Sequence, residues 1–170
     1  SITKPYYNLD PALRYRQLGN LRNRGAELSL TGQVRPGLTV VGGTMLLDPR
    51  ISGEAVDSAQ IGPRPVGQIR RRSVLSLDLR SKQGRGPVSV DLSLESLSSR
   101  TANAANTLAA PARTVVNLGA RYRFKLAGGT WLFRPVLLNV FDTYGWNVSS
   151  SGGFTYIPPR AVSFQLVADF

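Results

Sequence analysis

Val88-Ser89-Val90-Asp91-Leu92-Ser93-Leu94-Glu95 alternates apolar and polar residues without a break. A period of two belongs to a strand with one apolar and one polar face. The same alternation runs through Ala26, Leu28, Leu30 and Val34, with Gly32 among the apolar positions and Glu27, Ser29, Thr31 and Gln33 between them. It returns at Val116, Leu118, Ala120, Tyr122 and Phe124 against Asn117, Gly119, Arg121, Arg123 and Lys125. The chain ends on it as well. Val162, Phe164, Leu166, Ala168 and Phe170 alternate with Ser163, Gln165 and Asp169, and Val167 is the one exception. Less regular strands are expected over 38–48, 73–80 and 131–142, and 1–4 reads as the end of a further strand. The pattern predicts about 7–8 strands and almost no helix.

The connections alternate in length. Residues 4–26, 49–72, 98–112 and 143–160 read as long, polar connections, whereas Arg35-Pro36-Gly37, Lys82-Gln83-Gly84-Arg85-Gly86-Pro87 and Ala127-Gly128-Gly129 are short. A soluble sandwich has no reason for that order. A transmembrane β-barrel has one: short turns on the periplasmic side, long loops outside, and strands of about ten residues with one face to lipid. The expected fold class is therefore all-β, built of antiparallel transmembrane barrel strands. Glu27, Asp91, Glu95, Asn117 and Arg121 then face a wet or plugged lumen as solvated groups. Tyr122, Phe124, Trp131, Phe133 and Phe170 fall near short turns, and Phe141, Tyr144 and Trp146 near a long loop. Aromatic rings prefer the headgroup level, so these positions suit interfacial girdles.

Composition narrows the function. The chain has 170 residues, 42% of them hydrophobic, which is too apolar for a disordered polybasic tail. It contains no Cys and no His, which excludes a disulfide framework, Cys/His zinc sites, thiol nucleophiles and His-based triads. No Gly-x-Ser-x-Gly elbow, P-loop or dinucleotide fingerprint is present. Asp91 and Glu95 share a strand face about 13 Å apart, at about 3.3 Å per residue, too far for a direct glycosidase pair. No enzyme is expected, and no catalytic residue, metal ligand or cofactor is assigned. The net charge of +11 is spread over scattered arginines, with one run at Arg70-Arg71-Arg72 beside no aromatic cluster. That distribution argues against nucleic acid and leaves a solvated surface, lipid phosphates or an anionic small ligand. No run of roughly 20 apolar residues suits a helical span. Ser1-Ile2-Thr3-Lys4-Pro5 has neither a starting Met nor an apolar signal core, and reads as a chain cut from something larger.

Several short stretches resemble one family in order along the chain. Asn139-Val140-Phe141-Asp142-Thr143-Tyr144-Gly145-Trp146 is similar to the signature before the last strand of TonB-dependent outer-membrane receptors. Pro159-Arg160-Ala161-Val162-Ser163-Phe164, running on to Phe170, resembles their last strand, and Arg24-Gly25-Ala26-Glu27-Leu28 one of their strand starts. Lys4-Pro5, Leu46-Leu47-Asp48 and Gly119-Ala120-Arg121-Tyr122 match further positions, nearest to the ferric-siderophore branch. The resemblance implies a barrel of about 22 strands with an N-terminal plug. At roughly 21 residues per strand and connection, such a barrel needs about 470 residues. Residues 1–170 would then be its C-terminal last third, without plug or TonB-contacting box.

What the resemblance implies about function is energy-coupled uptake of ferric siderophores across the bacterial outer membrane. The ferric siderophore would be the transported ligand, and TonB would act through an N-terminal part that this stretch lacks. Outer-membrane lipid and lipopolysaccharide would surround the barrel, and the barrel assembly machinery would read Phe164, Leu166 and Phe170 as an assembly signal. Tyr6, Tyr7, Tyr15, Tyr144, Trp146 and Tyr156 lie in expected outer loops and are candidates for stacking on a ligand. The alternatives are a small stand-alone outer-membrane barrel acting as anchor or adhesin, and a soluble basic β-domain that binds polyanions.

Overall fold

The computed structural model describes residues 1–170, apart from the side chain of Gln83. Its strands are β1 (Ile2–Leu9), β2 (Tyr15–Arg35), β3 (Leu38–Ser52), β4 (Arg71–Arg80), β5 (Val88–Leu97), β6 (Arg100–Thr101), β7 (Ala109–Ala110), β8 (Arg113–Leu126), β9 (Gly129–Leu138), β10 (Trp146–Val148), β11 (Phe154–Tyr156) and β12 (Ala161–Asp169). A short helix, α1 (Glu54–Asp57), follows β3. Eight strands form one antiparallel sheet in the order β1-β2-β3-β4-β5-β8-β9-β12. β6 pairs with β7 and β10 with β11 as small hairpins inside long loops. β1 and β12 lie at the two edges of the large sheet and do not pair with each other.

The expected strands are all present, but their ends differ. The stretch 4–26 is not a long loop: β1 runs to Leu9 and β2 begins at Tyr15. The two pair from Ile2↔Asn23 to Leu9↔Tyr15, with a bulge beside Tyr6 and Tyr7. Tyr6, Tyr7 and Tyr15 therefore stand on strands. Beyond the apolar band a hairpin can be wet on one side, so it keeps strand geometry without apolar alternation. β9 stops at Leu138 rather than running on to Asp142, because Asn139 turns into the left-handed region at φ 49°. Two connections are only two residues long: Ala127-Gly128 between β8 and β9, and Pro36-Gly37 between β2 and β3, where Gly37 has φ 84°. Proline followed by glycine suits a type II turn, and the bulge between Gln33 and Arg35 adds the twist that such a turn does not supply.

One face of the sheet is apolar from strand to strand. Leu30 and Leu28 on β2, Leu92 on β5, Leu118 on β8 and Leu166 on β12 belong to it. Leu28 is 76% exposed and Phe164 68% exposed, and neither packs under another layer of protein. Its lower end, at the short turns, carries rings in contact. Tyr122 stacks on Phe124 at 5.4 Å, Phe124 on Trp131 at 6.4 Å, and Trp131 meets the edge of Phe170 at 5.7 Å. Its upper end is a row of hydroxyls: Thr44 donates to Ser73 at 3.0 Å, and Thr114 to Ser96 at 3.0 Å. An apolar band with an aromatic rim on one side and a polar rim on the other is the outside of a membrane barrel.

The buried apolar residues lie elsewhere. Leu18, Leu21, Ile51, Ala55 and Ile61 pack together under the β3–β4 loop. A second group, Val66, Ala102, Ala110 and Val148, joins three long loops. The sheet's apolar face is turned to lipid, so the interior packing gathers in the loops at the outer end. Asn106, at φ 61°, joins two of these loops: its Oδ1 accepts Arg64 N–H at 2.8 Å and its Nδ2 donates to Arg64 O at 2.9 Å.

Candidate ligand-facing site

The other face of the sheet is polar, and Asp78, Asp91 and Glu95 on it are ion-paired rather than merely solvated. Asp78 and Asp91 stand directly opposite each other on β4 and β5. Like charges across a strand pair repel. Arg121 on β8 resolves this by ion-pairing with both, reaching Asp91 at 3.1 Å. Gly119 stands across from Asp91, where a Cβ would meet the carboxylate at 2.4 Å. Nearer the long loops, Glu95 pairs with Arg72 at 2.8 Å. Asn117 donates to Ser93 Oγ at 3.1 Å.

At the outer end of this face the last loop folds over the sheet and leaves a cavity of about 520 Å³, lined by Arg72, Glu95, Arg113, Asn117, Asn139 and Asn147. Its volume falls in the range of small-molecule sites. Arg113 ties the loop down by donating to Trp146 O at 2.8 Å and to Asn147 Oδ1. Asn139 is the second anchor. Its Nδ2 donates to Thr143 O and Pro158 O, both at 3.0 Å, and its Oδ1 accepts Thr143 N–H at 2.9 Å. Asp142 closes the loop base by accepting Arg160 N–H at 2.8 Å.

A second cavity of about 410 Å³ lies among the loops, with Arg64, Gln68, Arg70 and Arg100 in its wall and no carboxylate. Arg100 is only 6% exposed, and its Nε and Nη2 have no partner among the described residues. Burial, and then the positive charge of Arg113, push its pKa below the ordinary arginine value, opposed by Glu95. A buried guanidinium without a partner favours an anionic group nearby.

The six aromatic candidates fall into three separate places. Tyr144 and Trp146 meet edge-to-face at 5.8 Å, and Trp146 meets Tyr156 at 6.5 Å. Phe154, which the sequence did not single out, joins this cluster at 6.2 Å from Trp146. Tyr7 and Tyr15 stack on each other at 6.1 Å on the β1–β2 hairpin. Tyr6 packs against the Leu18 cluster and accepts a hydrogen bond from Asn8 at 2.7 Å. Phe164 and Leu166 stand on the edge strand β12 with Phe170 just beyond it, and Phe164 stacks on Phe133 at 6.0 Å. Sequence reading quoted Asn139 and Asp142 as part of a signature without a role, and passed over Arg113 and Asp78. Only the signature itself was a signal for Asn139. Cross-strand register was needed for Asp78, and closure of the last loop for Arg113.

Residues 2–141 match the family model described as TonB dependent receptor-like, beta-barrel. The chain belongs to the TonB-dependent receptors. This receptor chain is 31% identical to the ferrichrome receptor FcuA of Yersinia enterocolitica over 172 residues, covering 99% of the chain and 22% of FcuA. BauA, the ferric preacinetobactin receptor of Acinetobacter baumannii, superposes with a TM-score of 0.81 at 25% identity, over 99% of this chain and 26% of BauA. The Pseudomonas aeruginosa pyoverdine receptor FpvA shares the fold alone, with a TM-score of 0.70 at 17% identity over 98% of this chain and 25% of FpvA. This chain thus spans 22% of the length of its curated relative. A TonB-dependent receptor barrel is an outer-membrane structure, and the apolar band described above is the surface it turns to lipid.

Proposed function

We propose that these residues form the C-terminal part of a receptor that takes up ferric siderophores across the outer membrane by TonB-dependent, energy-coupled transport. The observation that carries this reading is the 31% identity to a ferrichrome receptor over 99% of the chain. The 25% identity to a ferric preacinetobactin receptor at a TM-score of 0.81 points the same way. The function is transport rather than catalysis, with the ferric siderophore as cargo and no resident cofactor. The ligand would meet the aromatic cluster of Tyr144, Trp146, Phe154 and Tyr156 first, since its rings are exposed at the outer end. Acidic groups of a ferric complex would be drawn toward Arg64, Arg70 and Arg100 in the carboxylate-free cavity. TonB would act through an N-terminal plug outside this stretch, in a barrel of about 22 strands. The barrel assembly machinery would receive β12, and lipopolysaccharide would surround the outer rim.

The test is radio-iron uptake by cells that lack their own siderophore receptors and express the complete receptor. A panel of ferric hydroxamates and ferric catecholates is supplied with and without functional TonB. Uptake of at least one complex that disappears without TonB is the expected result. Trp146→Ala should weaken binding of that complex about tenfold, as the loss of one stacked ring does. Accumulation of no ferric complex, or accumulation that ignores TonB, overturns the reading.

A further inference from the structure

Residues 16–121 contain no aromatic side chain. The row of rings at the short-turn end, from Tyr122 to Phe170, therefore begins at β8 and leaves β2, β3, β4 and β5 without one. Val88 on β5 pairs with Tyr122, so the ring row gives way at that point to a groove of about 410 Å³. Leu79, Val88 and Val90 form its apolar lining, and each is about two-fifths exposed. They lie on the face of Leu92, which is the lipid-facing one. Arg35, Arg80 and Lys82 stand around them at the strand ends, and no carboxylate of the described residues lines the groove. A bulge puts Arg35 there. It sets Arg35 opposite Leu38, which is itself opposite Leu79, and residues directly opposite share a face. Asp78, the acid of β4, is engaged on the other face by Arg121.

We propose that this groove binds an anionic glycerophospholipid of the periplasmic leaflet, with Arg35 and Lys82 on its phosphate and Leu79, Val88 and Val90 against its acyl chain. Three features favour this occupant. Short turns lie on the periplasmic side of such a barrel, and a groove beside the ring row stands where headgroups meet water. Three cations without a carboxylate give a phosphate its donors and leave the ammonium of a zwitterionic headgroup with no partner, so a net-negative lipid is selected. The apolar lining continues into the lipid-facing surface, which serves an acyl chain and not a small soluble anion. The site needs only the outer-membrane placement of the barrel, so its failure would leave the uptake reading untouched.

The complete receptor, purified in detergent and stripped of lipid, tests this by native mass spectrometry with phosphatidylglycerol and phosphatidylethanolamine of the same acyl chains. The wild type should bind phosphatidylglycerol about tenfold more tightly than phosphatidylethanolamine. Arg35→Gln/Lys82→Gln should bind phosphatidylglycerol about tenfold more weakly than the wild type. Arg85→Gln, in the same turn as Lys82 but outside the groove, should bind it as the wild type does. The comparison of the two lipids needs no variant and stands even if the double variant folds poorly. Equal binding of the two lipids, or equal binding of phosphatidylglycerol by wild type and double variant, overturns the proposal. A loss in Arg85→Gln as large as in the double variant makes the binding a general attraction to the turns and overturns it too. So does displacement of the lipid by an equal concentration of inorganic phosphate, which would make the groove a soluble-anion site.

Discussion

Asn139 concentrates more structural work in one side chain than any apolar residue of the sheet. It is 4% exposed, sits at φ 49°, and both ends of its amide are used. Asparagine tolerates the left-handed region better than most residues, which is why β9 can end there. Asn139→Ala removes the partners of Thr143 N–H, Thr143 O and Pro158 O at once, and should cost about 2–3 kcal/mol. Urea unfolding of the receptor in detergent measures that cost, and protease cutting within 143–160 should rise with it. Asp10 does related work at the β1–β2 turn. Arg14 N–H donates to its carboxylate at 2.9 Å, and this bond holds the pKa below the usual range. Desolvation opposes it and the Arg16 side chain assists. A carboxylate with a depressed folded pKa stabilises fully above its unfolded value and loses that effect as pH falls through the folded one. Protection of the Leu13 and Arg14 amides, taken relative to their intrinsic exchange rates, should therefore fall on acidification below the ordinary Asp range. In Asp10→Asn that protection should not change over the same range.

At the scale of the element, the two ends of the strands differ in kind. Short turns and a row of lipid-facing rings mark one end, long loops with their own small hairpins the other. In intact cells a cysteine at Ser151, in the loop between β10 and β11, should react with an impermeant thiol reagent, and one at Gly84 should not. The opposite pattern would reverse the topology. β12 is a strand with both faces exposed along its whole length. Its free edge can pair with another strand, and Phe170 adds an aromatic that already meets Trp131. Deleting Phe170 in the complete receptor should lower the amount of assembled barrel several-fold, while barrels that do assemble melt nearly as the wild type does. Normal assembly with early melting would make Phe170 a packing residue only.

For the whole molecule, the unpaired outer edges of β1 and β12 decide behaviour in isolation. Within the apolar band the open edges are those of β2 below Asn23, where β1 no longer pairs, and of β12, and each unpaired backbone group there costs several kcal/mol in lipid. β1 spans Ile2–Leu9, longer than its apolar pattern suggested, yet it does not meet β12. Residues 1–170 expressed alone should therefore form mixed oligomers in detergent, seen as a broad size distribution by light scattering. A single sharp monomer peak with a heat-stable β spectrum would show that eight strands close on themselves.

Alternation in β2, β5, β8 and β12 was readable because lipid on one side and a polar lumen on the other impose a strict period of two. Loop lengths at Pro36-Gly37 and at 143–160 revealed the topology for the same reason, since each side of the membrane makes a different demand. Outside the membrane that constraint lapses. The β1–β2 hairpin, the β6–β7 and β10–β11 hairpins and the Leu18 cluster have no period to read, and only tertiary packing decided them. The polar face stayed half legible: Asp91 and Arg121 could be placed on it, but not joined to Asp78, because a pairing across three strands depends on register. Asn139 and Asp142 could be quoted as letters of a signature, while their bonds to Pro158 and Arg160 appear only when the last loop closes. Sequence alone determined which way the alternating strands β2, β5, β8 and β12 face, because that follows from solvent on either side. The fold decided which residues meet, because meeting depends on where loops outside the membrane find one another.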